Sequence, residues 1–221
     1  MRIKAVLFDI DGTLVDSNDQ HIRTWAEVFD REGVALGRQV IHDQIGKGAD
    51  MLVPALLPDA DDDAAERLGE AHGAIFKDKY LQTIRPFPGA HDLLARVHAS
   101  GRRVVLASSA SSAELEHYAT LLEAGELIAA TTSADDVANT KPAPDIFAAA
   151  LDKLAPLRAD EVLVVGDTPY DLEAAARCGI GAVAVRSGRF DDATLSAAGA
   201  IAIYDDVAAL LAGFDASPLA A

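Results

Sequence analysis

Residues 5–17 read AVLFDIDGTLVDS, and this stretch decides the fold. Its first four residues are apolar, which is the pattern of a short strand covered on both faces of a sheet. Two aspartates, Asp9 and Asp11, follow immediately, and burying an unpaired carboxylate is costly in free energy. We therefore expect the two carboxylates to lie at the exit of a buried strand, where a cationic group meets them.

Further strand-like runs alternate with helical segments along the chain. Residues 91–101, for example, carry Leu93, Leu94 and Val97 on one helical face and end in Gly101, a residue type that commonly stops helices. Alternation of this kind predicts βαβ units, and therefore an α/β fold with a parallel sheet flanked by helices. The predicted strands are residues 3–8, 103–108, 126–133, 161–166 and 181–187, with 201–206 as a sixth strand at the edge.

The segment between the first two of these strands contains helical patterns instead of a strand. Residues 21–33 and 65–81 carry apolar side chains at the spacing of one helix face. The prolines of RPFPG, residues 85–89, stiffen the backbone as a linker would. The sequence therefore predicts an α/β core made of residues 1–15 and 86–221, with a small α-helical domain inserted at residues 16–85.

The charge balance excludes two classes of partner. The chain has 221 residues, and 19 basic against 35 acidic residues give a net charge of −16. Nucleic acids and anionic membrane surfaces are bound by clustered lysine and arginine, so neither is an expected partner. A phosphorylated ligand would need a local cationic site inside this acidic molecule.

The remaining composition favours a reducing compartment. The single cysteine, Cys178, cannot form a disulfide within the chain. No N-terminal signal pattern is found, and no apolar run approaches the roughly 18 residues that a membrane span requires. We therefore predict a cytoplasmic protein, and the sequence leaves its oligomeric state open.

Polar side chains follow the predicted strands at the points where the strands end. They are Asp9 and Asp11, Ser108 and Ser109, Lys141, and Asp167 and Asp171. Because ligands of open parallel sheets bind beyond the carboxyl ends of the strands, we expect these side chains to form one site. Clustered carboxylates repel one another unless a hard cation lies among them, and oxygen ligands favour Mg²⁺.

These residue types suit phosphoryl transfer. Mg²⁺ commonly shares its open positions with a phosphate, while Lys141 and Ser108 add a positive charge and a hydroxyl for phosphoryl oxygens. A carboxylate can act as the in-line nucleophile and form an aspartyl phosphate. A second aspartate, two residues along, can protonate the leaving oxygen and later deprotonate the attacking water.

Four segments resemble, in this order, the signature motifs of the haloacid dehalogenase superfamily of phosphohydrolases. They are FDIDGTLVDS (8–17), ASS (107–109), TKPAPD (140–145) and GDTPYD (166–171). The resemblance implies a Rossmann-like parallel sheet of strand order 3-2-1-4-5, and it makes the inserted domain a helical cap of the C1 type. It further points to the subgroup of phosphoglycolate phosphatases and β-phosphoglucomutase-like proteins.

The resemblance also implies roles for individual residues. It makes Asp9 the nucleophile and Asp11 the general acid and base. The implied phosphate-binding residues are Ser108, Ser109 and Lys141, and the implied Mg²⁺ ligands are Asp9, Asp11 through its backbone carbonyl, Asp167 and Asp171. Dehalogenating members carry tyrosine at the place of Asp11 and ion-pumping ATPases carry threonine, so an aspartate here favours phosphate esters.

Two interpretations stay open for Asp171. Thr168 and Asp171 match a capping box with Pro169 at the first helical position, and capping alone would explain the aspartate. A carboxylate in the first helical turn also faces the strand end, where it can join the metal site.

Residues 42–52, HDQIGKGADML, resemble the cap loop of phosphoglycolate phosphatases. Lys47 in this loop is either a contact for an anionic group of the substrate or an exposed lysine in a turn. His21, in the first predicted helix, is either a substrate contact or a packing residue. The β-phosphoglucomutase-like relatives carry an extra arginine in the cap loop, whereas here no arginine lies between Arg38 and Arg67.

The sequence therefore predicts a Mg²⁺-dependent phosphatase that hydrolyses a small phosphorylated metabolite, of the phosphoglycolate or sugar-phosphate type, through an aspartyl phosphate on Asp9. A sugar phosphomutase is the alternative with the same fold. A receiver-like module that only accepts a phosphoryl group is a third hypothesis. Neither Asp11 nor an inserted cap is needed for that third function, which argues against it.

Overall fold

The computed structural model describes residues 2–221, in which six parallel strands form one sheet. The strands are Ala5–Phe8 (β1), Arg103–Ala107 (β2), Ile128–Thr132 (β3), Val162–Gly166 (β4), Gly181–Val185 (β5) and Ala200–Tyr204 (β6). Their order in the sheet is β3-β2-β1-β4-β5-β6. This order confirms the predicted arrangement 3-2-1-4-5, and the sixth strand lies at the edge beside β5.

Ten α-helices connect and flank these strands within the described residues. They are Asn18–Arg31 (α1), Arg38–His42 (α2), Ala49–Leu56 (α3), Asp62–Lys79 (α4), Ala90–Ala99 (α5), Ser112–Leu121 (α6), Asp145–Lys153 (α7), Pro169–Arg177 (α8), Asp192–Ala197 (α9) and Val207–Ala212 (α10). Within residues 2–221, none of these helices combines the length and the apolar character that crossing a membrane requires.

Alternate residues of β1 belong to two hydrophobic clusters, one on each face of the sheet. Val6 and Phe8 pack on the face that α5, α6 and α10 cover. Ala5 and Leu7 pack on the opposite face, together with α7, α8 and α9. All four side chains are fully buried, as a parallel strand between two layers of helices requires. The end of β1 therefore carries Asp9 to the middle of the carboxyl edge of the sheet.

Helices α1 to α4, residues 18–79, form a helical insertion with a hydrophobic cluster of its own. Helices α1 and α4 correspond to the patterns predicted at residues 21–33 and 65–81, and the shorter α2 and α3 lie between them. The cluster contains Ile22, Trp25, Val28, Phe29, Ile41, Leu52, Val53, Leu68 and Ile75. Phe76 of α4 instead joins the cluster of the sheet, so the insertion also packs on the core.

The two chain segments that join the helical insertion to the sheet run side by side. Asp16 donates its backbone N–H to the carbonyl of Arg85 at 2.9 Å, and Phe87 donates to the carbonyl of Leu14 at 2.9 Å. These bonds lie at the predicted boundaries between residues 15 and 16 and between residues 85 and 86. A separate domain at residues 16–85 that moves as a cap stays a prediction.

Candidate active site

Asp9 lies at the carboxyl edge of the sheet with its side chain almost completely buried. Its backbone N–H donates to the carbonyl of Val165 in β4 at 2.9 Å, which extends the pairing of β1 and β4 by one residue. Its Oδ1 accepts a hydrogen bond from the ammonium group of Lys141, and its Oδ2 accepts one from Thr13 at 3.3 Å. The nucleophile predicted from the sequence is therefore held from two sides.

A tight turn at Gly12 folds the segment after Asp9 back over the end of β4. Gly12 has a φ of +80°, in the left-handed region that favours glycine. A Cβ atom at this position would lie 2.2 Å from both the Asn18 amide and the Asp167 carboxylate. The turn thus requires glycine for its backbone conformation and for the approach of Asp167.

Lys141 is the cation that meets the buried carboxylates. Its side chain is only 1% exposed, and its Nζ donates to Asp9 and to Oδ1 of Asp171 at 2.7 Å. Burial alone would lower the pKa of Lys141, but the carboxylates of Asp171 and Asp9 raise it above its usual value. Lys141 therefore stays positively charged beside the aspartate predicted to attack phosphorus.

Asp171 both caps a helix and belongs to the buried carboxylate group. The backbone N–H of Thr168 donates to Asp171 Oδ2 at 3.1 Å, and the N–H of Asp171 donates to the Thr168 hydroxyl at 3.4 Å, which completes a capping box at α8. The other oxygen, Oδ1, accepts the hydrogen bond from Lys141. Asp171 therefore has a contact that helix capping does not explain, the hydrogen bond from Lys141.

The carboxylates of Asp9, Asp167 and Asp171 form a group suited to a divalent cation. One oxygen from each lies within 4.8 Å of the others, and all three residues are buried. Burial raises the pKa of Asp9 to about 7, against the opposing charge of Lys141, and burial with the charges of Asp9 and Asp171 raises that of Asp167 well above its usual value. Three carboxylates thus share one ammonium group, which contacts Asp9 and Asp171, so a further cation would stabilise their ionised forms.

The donor set of this group fits Mg²⁺. All three carboxylates offer oxygen, the ligand atom that Mg²⁺ prefers. Asn18 donates its amide to Asp167 at 3.0 Å, and its Oδ1 is buried without a hydrogen-bond partner in the described residues. The side chain of Asp11 is not part of the group of three carboxylates. Its predicted contribution to Mg²⁺ binding is made by the backbone carbonyl, and it stays a prediction.

The carboxylate of Asp11 is held by the first helix of the insertion. Its Oδ1 accepts a hydrogen bond from the Ser17 hydroxyl at 2.6 Å and one from Nε2 of His21 at 3.1 Å. Burial acts to raise the pKa of Asp11, but the charge and hydrogen bond of His21 outweigh it and lower the pKa below its usual value. His21 thus touches the predicted general acid and base directly.

His21 is also a packing residue, as one of its two interpretations proposed. Its ring stacks on Phe76 with a centroid distance of 4.0 Å, and its Nδ1 lies 3.3 Å from Nε2 of His72. Although burial lowers the pKa of His21, the Asp11 carboxylate raises it above its usual value. His72 was not predicted from the sequence as a site residue. It lies on the buried face of α4 beside Leu68 and Ile75, and a residue at this position reads as part of the core.

The two serines after β2 have different surroundings. Ser108 is buried, and its hydroxyl accepts the backbone N–H of Ala110 at 3.0 Å. The hydroxyl of Ser109 donates to the carbonyl of Gly46 in the helical insertion at 3.3 Å. Both serines line the cleft described below, and their predicted contact with phosphate stays a prediction.

Lys47 contacts helix α8 of the core through its side chain. Its Nζ donates to the side chain of Gln44 at 2.5 Å and lies 4.5 Å from the centre of the Tyr170 ring in α8. Burial lowers the pKa of Lys47. Lys47 also lines the cleft described below, and its contact with a substrate stays a prediction.

A cleft of about 1200 Å³ separates the helical insertion from the end of the sheet. Asp9, Asp11, Ser108 and Ser109 lie on its core side, and His21 and Lys47 on the side of the insertion. Several further lining residues were not predicted as site residues, although Asp50 and Thr140 lie in stretches that resemble family motifs; the others are isolated residues on helices and carry no motif. They include Trp25, Asp50, His72, Lys77, Glu114 and Thr140.

A family model described as "Haloacid dehalogenase-like hydrolase" matches residues 6–185, which include all four predicted motifs. The chain belongs to this family. The fold of this haloacid dehalogenase-like hydrolase is similar, along most of the chain, to that of a hydrolase from Pseudomonas syringae. The two chains are 33% identical, with a TM-score of 0.89 over 97% of this chain and 98% of the other.

Two relatives show how the hydrolase compares with curated proteins. A phosphoglycolate phosphatase from Rhodospirillum rubrum is 30% identical over 94% of this chain and 89% of its own length. The chloroplastic protein SUPPRESSOR OF QUENCHING 1 from Arabidopsis thaliana is 32% identical over 93% of this chain, which spans only 20% of that protein. The family match confirms the predicted family. The phosphatases among the relatives confirm the prediction of an enzyme in the class of phosphatases.

Proposed function

We propose that this chain is a Mg²⁺-dependent phosphomonoesterase that hydrolyses a small phosphorylated metabolite through an aspartyl phosphate on Asp9. One observation carries the proposal. The carboxylate of Asp9, which lines the cleft, accepts a hydrogen bond from the buried ammonium group of Lys141, and Asp11 lines the same cleft. This arrangement supports the proposed roles of Asp9 as nucleophile, Lys141 as the cation for phosphoryl oxygens and Asp11 as proton carrier.

In the first half of the reaction an oxygen of Asp9 attacks phosphorus. The new bond joins this oxygen to phosphorus, and the bond from phosphorus to the ester oxygen breaks. The departing oxygen takes a proton from Asp11 and leaves as an alcohol. Lys141 stabilises the negative charge on the phosphoryl oxygens during the transfer.

In the second half a water molecule attacks the phosphorus atom of the aspartyl phosphate. The carboxylate of Asp11 takes the proton of this water, the bond from phosphorus to the Asp9 oxygen breaks, and inorganic phosphate is released. The contact with His21 lowers the pKa of Asp11 and so favours the ionised carboxylate, the form that can accept this proton. His21, whose Nε2 lies 3.1 Å from Asp11 Oδ1, would pass to Asp11 the proton that the departing oxygen takes in the first half, and would receive the proton of the water from Asp11 after the second.

The residues that would hold Mg²⁺ are Asp9, Asp167 and Asp171, together with the backbone carbonyl of Asp11. The ion would neutralise negative charge of the carboxylates and allow a phosphate anion to approach Asp9. We expect chelation by EDTA to abolish phosphate release and Mg²⁺ to restore it. Activity that persists after exhaustive chelation would contradict the metal dependence.

Relatives support a small phosphorylated substrate. The relative from Rhodospirillum rubrum is named phosphoglycolate phosphatase, and the cleft between the insertion and the sheet limits the size of a ligand. We propose a substrate of the phosphoglycolate or sugar-phosphate type, no nucleic-acid or membrane partner, and a cytoplasmic location.

The proposal is tested by incubating the protein and Mg²⁺ with a panel of phosphate esters and measuring inorganic phosphate. The panel contains 2-phosphoglycolate, hexose phosphates and p-nitrophenyl phosphate. We expect catalytic release of phosphate from at least one metabolite. An isomerised sugar phosphate without free phosphate would identify a mutase instead, and labelling of the protein without turnover would identify a phosphoacceptor.

Asp11→Asn is expected to lower steady-state phosphate release by about 10²–10⁴-fold, the usual contribution of general acid and base catalysis. The nitrophenolate group leaves without a proton, so the variant still forms the aspartyl phosphate from p-nitrophenyl phosphate. Stopped-flow absorbance should therefore show a burst of about one nitrophenolate per enzyme, followed by slow turnover. Asp16→Asn, an exposed aspartate of the same segment, is the control. Turnover near the wild-type rate would remove Asp11 from the mechanism.

A further inference from the structure

Three residues join the helical insertion to the segment directly before Lys141. Thr140 donates its backbone N–H to Asp50 Oδ2 at 2.8 Å and its hydroxyl to Asp50 Oδ1 at 2.6 Å. The hydroxyl oxygen of Thr140 also accepts the backbone N–H of Gly48 at 2.8 Å. Both oxygens of the Asp50 carboxylate are thus occupied by one core residue, which is 6% exposed.

The local sequence of the insertion allows this contact. A Cβ atom on Gly48 would lie 2.5 Å from Thr140 Cγ2 and 2.6 Å from its hydroxyl oxygen, so any larger residue would separate the two segments. Asp50 lies in the first turn of α3, yet no side chain caps that helix. The carboxylate of Asp50 thus makes its hydrogen bonds to the core, and none of them caps its own helix.

The same part of the insertion makes other contacts with the ends of the strands. Nε2 of His42 lies 2.9 Å from the carbonyl of Gly188, and the Tyr170 hydroxyl donates to the carbonyl of Asp43. These bonds use the backbone of one partner, whereas the contact with Thr140 uses an ionised side chain. Hydrogen bonds to charged groups are about twice as strong as neutral ones.

We propose that Gly48, Asp50 and Thr140 form a latch that couples docking of the helical insertion to the position of Lys141. This inference rests on the proposed function. Asp50 holds both the backbone and the side chain of Thr140, and the next residue is the buried lysine that contacts Asp9. Asp50 is thus a positioning residue, because it acts on the reaction through Thr140 and Lys141.

The latch gives the cleft two states with different catalytic competence. With the latch formed, the insertion covers the ester and Lys141 is held in place to bind phosphoryl oxygens. With the latch open, the product leaves and Thr140 no longer restrains the lysine segment. Enzymes commonly use such closure to exclude water and complete the site.

Asp50→Asn is the main test, with Asp63→Asn as its matched control. Asp63 occupies the same position of α4, the second residue of the helix, and is exposed and outside the cleft. Asparagine at position 50 keeps an acceptor for one donor of Thr140 but turns an amide N–H₂ toward the other. We expect kcat for p-nitrophenyl phosphate to fall about tenfold or more in Asp50→Asn and to stay within twofold in Asp63→Asn.

Two further measurements separate a latch from a merely structural role. Inorganic phosphate, as a product inhibitor, should bind at least about fivefold more weakly to Asp50→Asn, because Lys141 is less well held. Amide hydrogen exchange of peptides that cover Gly48 and Thr140 should become faster in the same variant. An unchanged kcat, an unchanged inhibition constant or unchanged exchange would each overturn the proposal.

Thr140→Ser and Thr140→Val keep the test decisive if a variant at position 50 fails to fold. Serine retains the hydroxyl and should keep kcat close to that of the wild type, whereas valine should lose as much as Asp50→Asn. The double variant Asp50→Asn with Thr140→Val should be no worse than either single one, because the same contact is removed. Additive losses would contradict the latch. If the wild-type protein releases no phosphate at all, the proposed function fails instead.

Discussion

Replacing Asp9 by asparagine is expected to reduce phosphate release from every ester by at least about 10⁴-fold, because the variant lacks the attacking oxygen. The side chain is nearly isosteric, and Lys141 keeps its contact with Asp171 at 2.7 Å, so the fold should be retained. Phosphate release is measured with Mg²⁺ at saturating ester. Circular dichroism and thermal unfolding report whether the protein is folded.

Asp30→Asn is the control for Asp9→Asn, since it removes an exposed aspartate of α1. Its activity should match the wild type. Mass spectrometry after acid quenching adds an independent readout, because the wild-type protein should carry the mass of one phosphoryl group and Asp9→Asn should not. A folded Asp9→Asn variant that retains more than about one hundredth of the activity would falsify the nucleophilic role of Asp9.

Lys141→Met is expected to damage both stability and activity. The variant removes the ammonium group from buried Asp9 and Asp171, and loss of one partner of a buried ion pair costs about 3–5 kcal/mol in the free energy of unfolding. Activity should fall by about 10²–10³-fold, since a charge that stabilises the transferring phosphoryl group is lost. Urea denaturation and phosphate release measure the two effects.

Urea denaturation repeated in the presence of Mg²⁺ is a second test of the same role. The carboxylates of the variant have no internal cation, so Mg²⁺ should raise its urea midpoint more than it raises that of the wild type. Lys153→Met, which removes a lysine that is 39% exposed and pairs with Asp136 at 3.3 Å, should change the unfolding free energy by less than about 1 kcal/mol. Equal stability of Lys141→Met and Lys153→Met would show that Lys141 does not neutralise the buried group.

The parts of the fold that the sequence predicted best are those with a local signal. The apolar run at residues 5–8 has no polar interruption, because β1 is covered on both faces, and it is therefore readable without knowledge of its neighbours. The helical periods of α1 and α4 are long enough to be recognised. Helix α2 has five residues, which is too short for a periodic pattern.

The residues of the candidate site also differ in whether a local sequence signal predicts them. Asp9 and Asp167 directly follow strands, Asp171 lies in the first turn of a helix, and Lys141 lies in the connection from β3 to α7, so their meeting at one edge follows from the parallel topology. Their catalytic roles stay predictions. The orientation of Lys47 toward Tyr170 has no local signal, because it depends on how the insertion packs on α8.

By itself the sequence determined the class of sheet, the strand order implied by its motifs, and the chemical types gathered at the carboxyl edge. It did so because hydrophobic period and motif spacing are properties of neighbouring residues. Only the tertiary structure decided which side chains from the insertion reach that edge. The contacts of His21 with Asp11 and of Asp50 with Thr140 join surfaces of two separately packed hydrophobic clusters. The distance and angle between such surfaces are fixed by packing in three dimensions, which no local pattern records.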